Sequence, residues 1–139
     1  MSEMLRPDDW DDPVVIPDLP EMARILVPFD GSHTAERALA WAELLARPSG
    51  AELVIVVAYE PPLTKKGRGG AYVEAMRDAM HAESESLAAE TVELVRTRGG
   101  HARGIVVRGE AAAAVLDTAE SESVDLVVMG RRGLSSELG

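Results

Sequence analysis

The chain contains no cysteine. That excludes disulfide bonds and thiolate metal sites, and it fits a reducing compartment. Aromatic residues are scarce, at 4% of 139 positions, so any core has to be filled by Val, Leu, Ile, Ala and Met; a hydrophobic content of 46% is enough for one. No apolar run approaches the ~20 residues of a membrane span. The N-terminus lacks the basic start, apolar centre and small-residue cleavage site of a secretory signal. The expectation is a soluble cytoplasmic protein with no membrane partner. A basic face is also missing: the formal net charge is −10, which argues against nucleic acid as a partner. Neither a GxSxG elbow nor a GxxxxGK[ST] phosphate loop occurs. His33, His81 and His101 are dispersed, with no metal or nucleophile partner in view. The expectation is no catalytic residue and no metal site.

The acidity that is present is unevenly placed. Residues 1–22 hold seven acids against one base, a formal −6 of the total −10. Pro7, Pro13, Pro17 and Pro20 interrupt every periodic pattern there, and the aspartates repel one another. The segment reads as a flexible acidic leader, with Trp10 and Val14-Val15-Ile16 as hydrophobes able to clip onto a surface or partner. The aspartates at 8, 9, 11 and 12 lack the spacing and terminal glutamate of a calcium loop. Residues 23–139 are then one domain.

Within that domain, short β-branched runs alternate with helical patterns. Arg24–Pro28, Glu52–Tyr59, Ala102–Val107 and Val124–Met129 are strand-like, and the first two have the nearly unbroken apolar character of parallel strands buried on both faces. Ala35, Ala38, Leu39, Ala42, Leu45 and Ala46 make a helical stripe capped by Ser32 or Thr34 and stopped by Pro48 and Gly50. A long helix over about 71–98 has Val73, Met76, Met80, Leu87, Thr91, Leu94 and Val95 on its inner side. A shorter helix over 111–120 turns Ala114, Val115 and Ala119 inward. Strands separated by helices imply right-handed crossovers, hence an open parallel sheet with helices on both faces, an α/β fold.

Two loops follow buried strands. In Val27-Pro28-Phe29-Asp30-Gly31-Ser32, the proline fixes the approach, the glycine permits a sharp exit, and Asp30 can accept hydrogen bonds from ribose hydroxyls; an aspartate there also serves as an ordinary turn or capping residue. In Met129-Gly130-Arg131-Arg132-Gly133, a glycine-rich backbone can wrap a phosphate, with two arginines as further donors; alone, two glycines three apart mark a tight turn. Ala58, at the end of the second strand, can present backbone groups to a base edge. Lys65, Lys66 and Arg68 form a basic cluster, either solvated or reaching a phosphate. If the first and fourth strands are neighbours, the two loops meet at one crevice, where open α/β sheets take their ligands.

The ordered set VPFDGS, VVAYEP, VRGEAAAAVLDTA and VDLVVMGRRGLS resembles the universal stress protein family over roughly residues 23–139. The resemblance implies an adenine nucleotide alpha hydrolase-like, Rossmann-like sheet in the order 3-2-1-4-5. It also implies ATP or AMP, with or without Mg2+, held by Pro28, Phe29, Asp30, Gly31, Ser32, Ala58, Met129, Gly130, Arg131, Arg132 and Gly133. The family's glycine motif, G-x2-G-x9-G-[S/T], has its first half at Gly130 and Gly133. The sequence ends at Gly139, ahead of the second half, of the fifth strand and of the pairing of subunits that strand commonly makes. The expectation is therefore a sheet ordered 3-2-1-4, and a homo-oligomer through other contacts or a poorly soluble chain, because the fourth strand has a bare edge. The function implied is that of a nucleotide-responsive regulatory protein of the stress response, with at most slow ATP hydrolysis. The alternative is a nucleotide-independent interaction module of the same fold. A third reading, an adenylyl-transferase-like enzyme, wants an HxGH or SGGxDS signature, and neither occurs.

Overall fold

The computed structural model describes residues 21–62 and 70–131; the leader through residue 20, the basic cluster of Lys65, Lys66 and Arg68, and residues 132–139 lie outside them. The element order is β1 (Arg24–Pro28), α1 (His33–Ala46), β2 (Glu52–Tyr59), α2 (Gly70–Thr97), β3 (His101–Arg108), α3 (Ala111–Ser121) and β4 (Leu126–Val127). The strands form one sheet in the order β3-β2-β1-β4, and every pairing is parallel. The chain first winds away from β1 through β2 to β3, then returns through α3 to lay β4 on the other side of β1. The strand order reverses between β1 and β4.

The apolar strands divide their side chains between two layers, as a period of two requires. Ile25, Val27, Leu53, Ile55 and Val57 pack under α1 and α2. Leu26, Val54 and Val56 pack under α3, against Val115. Ile25, Leu26, Leu39, Leu53 and Ile55 are among the fully buried side chains, and each such burial contributes about 1.5–3 kcal/mol relative to exposure.

α1 buries the alanine-rich stripe read from its spacing, with Leu45 half-buried against the same cluster. Its N-cap is Ser32, whose Oγ accepts the Ala35 N–H at 3.2 Å. On α2 the inner face is the expected one in part: Thr91 and Val95 are buried as read, but its centre is shifted toward smaller residues. Ser84, Ala88, Thr91, Val92 and Val95 are buried, whereas Leu94 is 43% exposed and Val73, Met76, Met80 and Leu87 are half-buried. The small residues win because the helix lies close on β3: a Cβ on Gly104 would stand 3.2 Å from the Ala88 Cβ. Large side chains on that stripe would hold helix and strand apart. In α3, Thr118 joins Ala114 and Val115 in the buried set, and Ala119 is packed partly buried against the same layer.

β4 is shorter than the expected Val124–Met129. The Val124 N–H is still committed to α3, donating to Ala119 O at 3.1 Å, and Met129 lies past the last ladder bond, Val128 N–H to Leu26 O at 2.9 Å. The strand is clamped at its start by Asp125, whose Oδ2 accepts the N–H of Ala23 at 2.7 Å and of Arg24 at 3.1 Å. Nearby, Arg103 of β3 bridges Glu52 of β2 and Glu122 at the end of α3, and Arg24 Nε donates to Glu122 O at 2.7 Å.

Candidate functional site

A crevice opens at the C-terminal end of the sheet, where the strand order reverses. β1 and its exit loop supply Pro28, Phe29 and Asp30. β2 supplies Val56 and Ala58. β4's exit supplies Met129 and Gly130. Ala35 of α1 closes one side and Ala111 and Val115 of α3 the other. The floor is thus aliphatic and aromatic, and the polar groups are at the rim.

Six of the eleven residues expected from the sequence line this one space: Pro28, Phe29, Asp30, Ala58, Met129 and Gly130. Gly31 and Ser32 stand behind the wall in the turn that shapes it, and Arg131 follows Gly130 without lining the space. Arg132 and Gly133 lie outside the described residues. Four wall residues escaped the reading: Ala35, Val56, Ala111 and Val115. One had a signal: Val56 is two residues before Ala58 on the same face of β2.

The β1 loop is held by its own side chains. Asp30 Oδ1 accepts the Ser32 N–H at 2.9 Å, and Ser32 Oγ lies 3.1 Å from Thr34 Oγ1. Gly31 between them has φ +82°, a conformation in which a Cβ is strained. This turn keeps the exposed Asp30 at the mouth of the crevice with its second carboxylate oxygen outside that bond. Gly130 has a different reason to be glycine. Its φ is not in the left-handed region; instead a Cβ there would lie 2.8 Å from Thr34 Cβ and 2.9 Å from Thr34 C and O. The backbone leaving β4 rests directly on the first turn of α1, so the two loops are in contact and the crevice has a closed end.

Two carboxylates on the opposite end of the sheet have shifted titration. The N–H groups of Arg24 and Ala23 hold the Asp125 carboxyl below its ordinary range. The hydrogen bond from Arg103 does the same for Glu122. Both serve the strand clamp, and neither is near the crevice.

Comparison with known proteins agrees with the architecture. The model of the "Universal stress protein family" matches residues 22–139. A curated relative from Thermus aquaticus, a universal stress protein encoded in the QAH/OAS sulfhydrylase 3' region, is 37% identical over 112 residues, covering 81% of this chain and 79% of its own. A universal stress family protein from Burkholderia pseudomallei, of solved structure, is 28% identical with a TM-score of 0.64, over 84% of this chain and 86% of that one. A universal stress protein solved in complex with cAMP is 25% identical with a TM-score of 0.62, over 83% and 80%. The chain belongs to the universal stress protein family.

Proposed function

We propose that this chain binds an adenine nucleotide, ATP or AMP, in the crevice between β1 and β4, and acts as a nucleotide-responsive regulatory protein of the stress response rather than as an enzyme. The observation that carries the reading is the convergence of Pro28, Phe29, Asp30, Ala58, Met129 and Gly130 on one cavity at the reversal of strand order, the position at which open α/β sheets take ligands. The fit is chemical as well as topological. A purine is flat and largely apolar on its faces, and the space between Val56, Ala58 and Val115 is lined by aliphatic carbon. A ribose offers paired hydroxyls, and Asp30 has a carboxylate oxygen to receive them. A phosphate needs backbone donors unhindered by side chains, which the Gly130 turn provides in kind. The cAMP held by a solved relative is of the same ligand class.

In this reading the protein's own part is to bind and orient. Pro28 and Phe29 set the slot, the Asp30–Ser32 turn fixes the carboxylate, and the contact of Gly130 with Thr34 couples the β4 loop to the N-terminus of α1. A ligand bridging the two loops therefore stabilises β4, the shortest strand. Regulation follows if the fold with nucleotide presents a firmer β4 edge than the fold without it.

The test is thermal melting with ATP or AMP, each with and without Mg2+. At 100 times the dissociation constant a ligand stabilises by ~2.7 kcal/mol. Ala58→Leu fills the slot at a half-buried position and is expected to remove the shift while the melting of the free protein stays within a few degrees. Asp30→Ala is expected to weaken it. An unshifted melting curve at millimolar nucleotide, with no nucleotide in the mass spectrum of the purified protein, removes the proposal.

A further inference from the structure

The outward face of α1 is unlike a solvated helix surface. Trp41 is 61% exposed and Leu44 49% exposed, and with Ala40 and Arg37 they line a shallow hollow. Arg47, three residues after Leu44, is exposed at the edge of the strip, in a separate hollow it shares with Glu43. This face is opposite the buried stripe of Ala35, Ala38, Leu39, Ala42 and Ala46, so Trp41 contributes nothing to the core. Neither Arg37 nor Arg47 is in an ion pair among the described residues. The acids of the helix lie to one side, and Glu43 is committed to Arg98 at 2.8 Å. An apolar strip with a cation at each end is thus displayed by a chain of net charge −10. Pairing with the same stripe of a second copy would bring arginine against arginine, which like charges oppose. The surface fits an acidic segment carrying large hydrophobes.

We propose that the occupant is this chain's own leader, with Trp10 and Val14–Ile16 seated on Trp41 and Leu44, and the aspartates at 8, 9, 11 and 12 against Arg37 and Arg47. Composition supplies the match: the leader holds −6 of the chain's charge together with those hydrophobes. It also lies outside the match to the family model, which begins at residue 22. Connectivity supplies the reach. The Ala23 O accepts the Glu52 N–H at 2.9 Å, and the neighbouring Ala51 N–H donates to Ala46 O at 3.1 Å. The leader therefore joins the domain beside the end of α1, and Met22 already packs against the cluster that α1 covers. Trp41 lies five residues before that helix end, about 7–8 Å along its axis. Eleven residues separate Glu21 from Trp10 and span up to ~36 Å extended. Tethering makes the encounter intramolecular, with an effective concentration on the order of millimolar.

The absence of cysteine makes the test direct. In the full-length chain, Leu5→Cys carries a single nitroxide, and amide signals are compared with the label oxidised and reduced. The expected result is at least a twofold loss of intensity at Arg37, Trp41 and Leu44, with Leu116 on the far side of the sheet unaffected. Changing the four leader aspartates to asparagine, or Arg37→Glu, abolishes the loss. Even broadening over the surface, or none, overturns the proposal. So does broadening that appears only between a spin-labelled copy and a separate isotope-labelled copy, which assigns the stripe to a second molecule. Nucleotide is not required in any arm, so the outcome is independent of the crevice.

Discussion

Gly130→Ala is the sharpest perturbation of the crevice, because the structure says what one added methyl meets. The Cβ arrives 2.8 Å from Thr34 Cβ and 2.9 Å from both Thr34 C and Thr34 O. All three separations are well inside the 3.5–4.0 Å of a favourable carbon contact. Two of the three atoms are backbone in the first turn of α1, whose N–H groups are tied down by Ser32: Ala35 N–H to Ser32 Oγ at 3.2 Å and Glu36 N–H to Ser32 O at 2.9 Å. The helix cannot yield without loosening its cap. The β4 loop has to move instead, at the cost of the Val128–Leu26 bond, or the overlap is shared. Overpacking of this kind costs about 1–3 kcal/mol. For a domain of this size each kcal/mol lowers Tm by about 4 °C.

The assay is melting of the free protein, with no nucleotide present. Thr34→Ala supplies the internal control. It removes side-chain atoms beyond Cβ and leaves Thr34 C and O in place, so the double variant is expected to recover little of the loss. Unchanged melting of Gly130→Ala would refute the reasoning: the β4 loop would then be free of α1, and the glycine would have no role in the unliganded fold. Full recovery in the double variant would refute it in another way, by locating the conflict in the Thr34 side chain.

Three other outcomes are expected from the same coordinates. Gly31→Ala places a Cβ at φ +82° and is expected to cost about 1–2 kcal/mol, read in urea as a lower midpoint at constant slope. Leu39→Ala empties a site that is 2% exposed under the sheet and is expected to cost about 2–5 kcal/mol, with a fall in Tm to match. Asp125 and Glu122 both titrate below their ordinary ranges in the folded protein. Their contribution is therefore fully present above the unfolded values of about 4 and is lost as pH falls through the lower folded values. Asp125→Ala is expected to lower Tm at pH 7, and its difference from the parent is expected to shrink as pH is taken below about 4; a difference independent of pH would assign the loss to packing.

Much of the architecture was legible because the two central strands, β1 and β2, are buried on both faces. Such strands write themselves as continuous apolar runs, and Arg24–Pro28 and Glu52–Tyr59 match their observed limits residue for residue. β4 was read too long for a related reason: VDLVVM is apolar but for Asp125, and hydropathy does not report that the Val124 N–H is already spent on closing α3. The inner face of α2 was read correctly at Thr91 and Val95, but Ser84, Ala88 and Val92 were missed, because large side chains weigh most in a periodicity argument. Helix-to-sheet distance is set by the small ones, and Ala88 against Gly104 has no signature beyond its size. The crevice was read from loops, so its loop residues were found. Its walls on α3 were not, because nothing in residues 111–115 distinguishes a ligand-facing alanine from one facing a strand.

The two readings of the β1 and β4 loops, ordinary turn or ligand contact, do not compete in this fold. Asp30 makes a turn bond with one oxygen, and that bond is what holds its carboxylate at the crevice mouth. Gly130 is required by the close approach of Thr34, and that approach is what brings the β4 backbone, bare of side chain, to the same crevice. A residue can be fixed by the unliganded fold and still be the group a ligand meets, since preorganisation means that the fold has already ordered the contact. Loss of binding in a variant at position 30 or 130 therefore says little about the ligand unless the free protein is shown to be unharmed. Ala58 separates the two effects. It touches the crevice from a strand whose register is set by both neighbours, Ala58↔Val107 on one side and the last β1 pair at Val56 on the other. A larger side chain there occupies the ligand's space before it disturbs the sheet.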